Sequence, residues 1–339
     1  ENKPIPEDAS KRLRASYYFM GALLGRHKKI EMYFPGGCTI GARPIDLHLK
    51  GFKALGAKVI QEDNKYTIIA DELKGNNIYL DIASVGATIN IMLAAVKATG
   101  VTIIENAAKE PEIVDLASFL NSMGAQISGA GTSTIKIKGV KYLKSCVHEV
   151  IPDRIETATY IMIGVAICKK LTIKNIIPEH IYALVQKLIE MGADIKLDSD
   201  NVIVTNKNKL KGINIRTQVY PGFPTDMQQI MASLMTQAYG ESRIEETLYE
   251  NRFLNLYQLC KMGAKSKVEG NRAFIYGPTK LTGTDVAATD LRAGAGLVIA
   301  GLLATGTTTI SGADYILRGY ENIVEKLNNI GAKVELIQI

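Results

Sequence analysis

Ile181-Tyr182-Ala183-Leu184-Val185-Gln186-Lys187-Leu188-Ile189-Glu190-Met191-Gly192-Ala193-Asp194-Ile195-Lys196-Leu197-Asp198-Ser199-Asp200-Asn201-Val202-Ile203-Val204 is the stretch that decides the fold. Ile181, Leu184, Leu188 and Ile189 fall at i, i+3, i+7 and i+8, one apolar face of a helix. Gly192 ends that helix, because glycine enters the left-handed conformation common at helix C-termini without a Cβ penalty. Ile195-Lys196-Leu197 and Val202-Ile203-Val204 then read as two strands joined by the polar turn Asp198-Ser199-Asp200-Asn201.

The same signature occurs five times. Gly-Ala pairs begin at Gly56, Gly124, Gly192, Gly263 and Gly331, at intervals of 68 to 71 residues. Accidental dipeptides would not bring an amphipathic segment before them and two short alternating stretches after them, so the period is structural. Between successive hairpins lies a second helical segment and a further strand. Residues 84–98 precede Val101-Thr102-Ile103-Ile104, residues 153–168 precede Leu171-Thr172-Ile173, and residues 289–304 precede Thr307-Thr308-Thr309-Ile310. The apolar runs of these second helices predict burial on all sides, with helices inward and sheets outward. The expected fold class is α/β, in two lobes over residues 1–151 and 152–339. Ala9 to Leu24 reads as a second helix with no helix-hairpin copy before it. Three units per lobe need six, so the pattern predicts about one repeat, roughly 70 to 80 residues, ahead of Glu1.

Composition narrows the function classes. The chain has 339 residues, 47% hydrophobic and 22% charged, enough for two globular domains. No apolar run reaches the length of a bilayer span and the N-terminus has no secretory pattern, which predicts a cytoplasmic protein. Cys38, Cys146, Cys168 and Cys260 have no disulfide-framework or zinc spacing. The net charge of +6 is spread along the chain, and with no Trp and 6% aromatics there is no stripe for nucleic acid. A small anionic substrate fits better. No metal, cofactor, nucleic acid, membrane or obligatory protein partner is expected.

The residues that carry chemistry gather in a few segments. A glycine loop such as Pro35-Gly36-Gly37 is ordinarily a bend. Its continuation, Cys38-Thr39-Ile40-Gly41-Ala42-Arg43-Pro44, puts a thiol near a guanidinium, ahead of a helix expected to start at Pro44. Both surroundings favour a thiolate, so Cys38 is a candidate proton donor or nucleophile. Cys168 and Cys260 read as inert core residues of apolar helices, and Cys146 lacks an activator. Helix N-termini recur at Ser84-Val85-Gly86, Asp153-Arg154-Ile155-Glu156, Thr225-Asp226-Met227-Gln228 and Thr289-Asp290-Leu291-Arg292. Capping boxes explain Asp153 and Thr225. They do not explain Asp226 or the arginines. If the repeat aims several N-termini at one place, their dipoles form a phosphate basin, reinforced by Arg14, Arg43 and Arg318. Asp226 inside it would stay ionised and could accept a proton from a sugar hydroxyl. The histidines His27, His48, His148 and His180 show no metal spacing and read as packing or surface residues.

At these residues the sequence resembles a known family. Residues 35–48, Ser84 to Thr88, Glu105 to Asp115, Pro221 to Gln228, Glu250 to Phe253 and Arg318-Gly319-Tyr320 are similar, in order, to the UDP-N-acetylglucosamine enolpyruvyl transferases of cell-wall synthesis. The resemblance covers essentially the whole chain. It implies an inside-out α/β barrel of two lobes with substrates in the cleft between them. It also implies transfer of the enolpyruvyl group of phosphoenolpyruvate to the 3-hydroxyl of UDP-N-acetylglucosamine, with release of phosphate. Cys38, Asp226 and Arg318 match the catalytic positions. Arg14, Arg43, Pro44, Ile45, Asp46, Leu47, Ser84, Val85, Gly86, Asp226, Leu248 and Arg292 match substrate-binding ones. The resemblance further implies that the thiol in this loop is alkylated by the epoxide fosfomycin. The family's Lys-Asn pair at phosphoenolpyruvate falls ahead of Glu1, and without it full activity is not expected. Shikimate-pathway enolpyruvyl transferases share the repeat but lack the Pro-Gly-Gly-Cys loop.

Overall fold

The computed structural model describes residues 6–34 and 44–337, in two compact units of which one ends at Ile151 and the other runs from Pro152. Cys38 and Arg43 lie outside the described residues.

Every glycine of the repeat has the backbone its place requires. At Gly56, Gly124, Gly192, Gly263 and Gly331 φ is 93°, 99°, 104°, 99° and 96°. The helix Tyr182–Met191 shows why. Gly192 N–H donates to Ile189 and Ala193 N–H to Leu188, both at 2.9 Å, which closes the last turn and releases the chain into the next strand. Strands Asp194–Leu197 and Asn201–Thr205 then pair antiparallel, Val202 opposite Leu197. One residue of the expected helical face is misplaced. Ile189 is 46% exposed, whereas Val185 and Met191 are buried with Ile181, Leu184 and Leu188. At 100° per residue the eighth position from Ile181 falls off the edge of that face.

The unit ending at Ile151 has a three-stranded sheet, Lys29–Tyr33, Lys65–Ile69 and Lys58–Glu62, and a four-stranded one, Asn77–Tyr79, Val101–Glu105, Thr134–Lys138 and Gln126–Ser128, each in spatial order. The unit from Pro152 repeats both. Lys170–Lys174, Asn201–Thr205 and Asp194–Leu197 form the first sheet; Asn214–Arg216, Gly240–Glu245, Arg272–Gly277 and Lys265–Glu269 form the second. It adds a pair, Asp285–Ala287 with Thr309–Ser311. Among the described residues these five sheets are separate and open.

The first two strands of each four-stranded sheet are parallel, and so is the two-stranded pair. Parallel neighbours need a crossover. The second helices supply it: Val85–Ala95, Thr225–Met235 and Leu291–Leu303. Each helix therefore starts beyond the carboxyl end of a short strand. In the unit from Pro152, Arg154–Ile167, Thr225–Met235 and Leu291–Leu303 pack on one another and make the core. In the other unit Tyr18–Leu24 packs on Val85–Ala95. Burying side chains such as Ile91, Met92, Ile230 and Met231 stabilises these centres by roughly 1.5–3 kcal/mol each.

Some local expectations are corrected. Ala9 to Leu24 is not one helix but Glu7–Arg12, a 3-10 turn Arg14–Tyr17, and Tyr18–Leu24, because Leu13 is extended. Pro44 precedes its helix, which Ile45 caps and Asp46 opens. Cys260 is exposed on Leu254–Lys261 rather than in the core, its Sγ 3.2 Å from Ser266 Oγ. No described helix is long and apolar enough to cross a membrane.

Candidate active site

Three helix N-termini of the unit from Pro152 meet at Asp226. Asp226 lies in the first turn of Thr225–Met235, Arg292 in the first turn of Leu291–Leu303, and Arg154 opens Arg154–Ile167. Caps hold two of these ends in place. Asp153 Oδ1 accepts from Ile155 N–H and Glu156 N–H at 2.7 and 3.2 Å, and Asp290 Oδ1 from Arg292 N–H and Ala293 N–H at 2.9 and 3.1 Å. The positive ends of the helices favour anions there.

Asp226 is gripped from behind and open in front. Its side chain is 41% exposed, while Arg252, which donates from Nη2 to its Oδ1, is 3% exposed. Arg292 Nη2 reaches Asp226 Oδ2 at 3.4 Å. Burial by itself would push the Asp226 carboxyl up. Arg292, Arg252 and Arg154 more than offset this, and the net direction is below the ordinary aspartate value. A carboxylate with one exposed flank and three cations around it stays ionised and can accept a proton from a bound neutral hydroxyl.

Arg252 is fixed by more than Asp226. Its Nε donates to Thr225 Oγ1 at 3.2 Å and its Nη1 to Gln229 Oε1 at 3.1 Å; Nη1 also lies 3.7 Å from Asp290 Oδ1. Gln229 Nε2 donates to Asp290 Oδ2 at 3.1 Å, closing the ring. Thr225, expected as a cap, is not one. Pro224 occupies the N-cap without a side-chain bond, and the Thr225 hydroxyl donates instead to Glu246 at 2.9 Å. Arg292 is braced by Tyr320, whose hydroxyl accepts from Nη1 at 3.4 Å and lies 2.8 Å from Thr159 Oγ1. Arg318 is two residues before Tyr320, exposed, and stacked 4.8 Å over the Tyr315 ring. A cavity of about 280 Å³ is lined by Arg154 together with Tyr220, Pro221, Pro224 and Met227 among others.

The unit ending at Ile151 gathers a second cluster. Ser84 caps Val85–Ala95, accepting from Ala87 N–H at 3.3 Å. A Cβ on Gly86 would fall 2.7 Å from Tyr17 Oη and 2.8 Å from His48 Cε1, so only glycine lets this helix end approach them. His48 accepts at Nδ1 from Asn90 Nδ2, 2.8 Å away. The Asn90 side chain also accepts from Gly21 N–H and donates to Tyr17 O, at 2.8 and 3.1 Å. Burial, with Arg14 adding to it, holds His48 neutral, its pKa lowered to about 4. Arg14 lies over the Tyr17 ring at 5.5 Å. Ile45, Asp46 and Leu47 start the helix that carries His48, with Pro44 just before it.

The structure thus brings Asp226 and Arg292 together in one unit, with Leu248 in a loop tied to the same helix end through Glu246. It brings Arg14, the 45–47 turn and Ser84–Gly86 together in the other. Arg252, Gln229, Asp290 and Glu246 were not assigned from sequence. The available signal was a lone arginine, Arg252, between Asn251 and Phe253 in a chain whose Asp226 needs a counter-charge.

A family model described as EPSP synthase (3-phosphoshikimate 1-carboxyvinyltransferase) matches residues 1–327. UDP-N-acetylglucosamine 1-carboxyvinyltransferase 2 of Listeria innocua is 54% identical over 331 residues, 98% of this chain and 78% of that protein. Its namesake from Bacillus cereus is 53% identical, with 98% and 77% covered. The chain belongs to the enolpyruvyl transferase family. As such it is a transferase, and enzymes of the family act on small molecules. Among solved enolpyruvyl transferases, NikO from Streptomyces tendae superposes with a TM-score of 0.88 at 27% identity, over 98% of this chain and 80% of that one. EPSP synthase from Acinetobacter baumannii shares the fold, with a TM-score of 0.74 at 20% identity over 95% and 79%.

Proposed function

We propose that this enzyme transfers the enolpyruvyl group of phosphoenolpyruvate to the 3-hydroxyl of UDP-N-acetylglucosamine in the cytoplasm, the first committed step of peptidoglycan synthesis. The observation that carries the reading is the Asp226 carboxylate, ionised among Arg252, Arg292 and Arg154 at a convergence of helix N-termini. Relatives at 54% identity bear the name of this reaction, which supports the same substrates here.

In the addition step Asp226 takes the proton of the sugar hydroxyl as its oxygen bonds to C2 of phosphoenolpyruvate. The methylene carbon gains a proton and becomes a methyl group, and Cys38 is the acid that supplies it. In the elimination step the methyl group returns a proton to the Cys38 thiolate, the C2–O bond to phosphate breaks with the proton held by Asp226 leaving on the phosphate, and the enol double bond returns. Fixed cations at Arg14, Arg43, Arg292 and Arg318 hold phosphate and carboxylate through both steps. Arg43 to Leu47, Ser84 to Gly86 and Leu248 hold the nucleotide.

The test is phosphate release by the full-length protein mixed with both substrates. Release that falls by about 10²–10⁴ in both Asp226→Asn and Cys38→Ala is expected. Absence of release from the unmodified protein, or release unchanged in both variants, sinks the reading.

A further inference from the structure

Glu246 follows the strand Gly240–Glu245 and is 2% exposed, and the chemistry assigned above makes no use of it. Its Oε1 accepts from Leu248 N–H at 2.8 Å, Tyr249 N–H at 3.3 Å and the Thr217 hydroxyl at 2.9 Å. Its Oε2 accepts from the Thr225 hydroxyl at 2.9 Å. That same hydroxyl accepts from Arg252 Nε at 3.2 Å, and Arg252 Nη2 donates to Asp226. An unbroken chain of polar contacts therefore runs from the main chain of Leu248 to the carboxylate of Asp226.

A carboxylate that merely closed the turn after residue 246 would need only its Oε1 bonds. Oε2 instead reaches the first turn of another element, to a threonine whose hydroxyl does no capping there. Hydrogen bonds to buried charged groups are among the strong ones, so each link is stiff.

We propose that Glu246 is a positioning residue that couples the Leu248 loop to Asp226 through Thr225 and Arg252. The proposal rests on the reading of Asp226 as base and Leu248 as a nucleotide contact. Seating of the sugar nucleotide and orientation of the base are then set by one device. The charged and titratable groups facing this device are Arg252, Arg292 and Arg154 around Asp226, Asp290 and the Tyr249 ring beside Arg252, and Asp153 and Tyr320 beside Arg292.

Thr225→Val, Thr225→Ser and Glu246→Gln separate this role from simple structural support. Removing the Thr225 hydroxyl frees Arg252 Nε, weakens its hold on Asp226, and lets the carboxyl rise. Activity is present above that pKa and lost as pH falls through it. The acidic limb of kcat should therefore move to higher pH in Thr225→Val, by about one unit, and return in Thr225→Ser. Glu246→Gln keeps an amide oxygen for the Leu248 and Tyr249 N–H groups but replaces the charged acceptor of the Thr225 hydroxyl with an N–H donor, which breaks the present bond to Thr225 and should raise KM for UDP-N-acetylglucosamine about tenfold. A role confined to stability would lower Tm in these variants and leave both readouts alone. Wild-type limb and wild-type KM in folded Thr225→Val and Glu246→Gln overturn the proposal. Should Thr225→Val fail to fold, the Glu246→Gln KM and pH limb decide by the same outcomes. Full turnover in Asp226→Asn would instead overturn the reading of the base.

Discussion

Arg252 lies almost wholly inside the protein, yet its guanidinium holds the outward-facing carboxylate of Asp226. The pair joins a residue in the first turn of one crossover helix to another 26 positions later, and it fixes where the carboxylate points. Removing the cation by Arg252→Met should therefore raise the Asp226 pKa. Because a base works only when ionised, the acidic limb of the pH–rate profile should shift upward by about one unit. The linked stability has the same sign. A depressed carboxyl contributes stability above its unfolded pKa and loses it as pH falls through its folded value. Arg252→Lys keeps a charge but not the fork that spans Asp226, Gln229 and Thr225, and should recover only part of the shift. Rates measured across pH check both variants.

The thiols offer a test by contrast. Fosfomycin followed by mass spectrometry should show one adduct, at Cys38. Cys260 is exposed, and among the described residues its thiol meets Ser266 and no cation. The Cys168 thiol is pushed up by burial and so carries less thiolate. A general maleimide should label Cys260 readily, which shows that epoxide labelling at Cys38 reports reactivity rather than access. An epoxide adduct on Cys260 or Cys168 contradicts the assignment.

Gly86→Ala probes the other unit. Its Cβ would meet Tyr17 Oη and His48 Cε1 well inside contact distance. Relief requires the helix start to retreat, at a cost of about 1–3 kcal/mol. Urea unfolding should show that loss. KM for UDP-N-acetylglucosamine should rise with it, since Ser84 and Val85 move as well.

His48 sets an acid-side stability limit. Its pKa is lowered from 6.5 to about 4, so between these values the unfolded chain binds a proton that the folded chain refuses. Stability should rise with pH through that window and be complete above it, a swing of about 3 kcal/mol. In His48→Gln the slope of unfolding free energy between pH 4 and 6.5 should flatten. An unchanged slope would show that His48 does not carry it.

What the sequence revealed follows from how local each signal is. The left-handed glycines and the crossover helices depend on a few adjacent residues, and Gly192 with its hairpin could be read off directly. Asp226 stood out as an acid that no cap explained. Thr225 was misread because capping-box spacing is a local rule, whereas its real partners, Glu246 and Arg252, arrive from residues more than twenty positions away. Ile189 was placed inside because a periodicity count is generous at the margin of a face. Cys260 was placed in the core because apolar neighbours along the chain do not say which side of a helix faces outward.

The second helices of the repeat have a consequence for how such an enzyme can change. Gly86, Arg154, Asp226 and Arg292 all stand in the opening turn of the same repeated element, and each does something different there. The deeper turns of those helices, such as Ile91, Ile161, Ile230 and Leu297, are occupied with packing. Duplication has thus supplied several equivalent sockets whose contents can be exchanged while the shaft beneath stays the same. New substrate preferences should arise by altering single residues at those sockets, with folding left to the parts of the repeat that never meet a substrate.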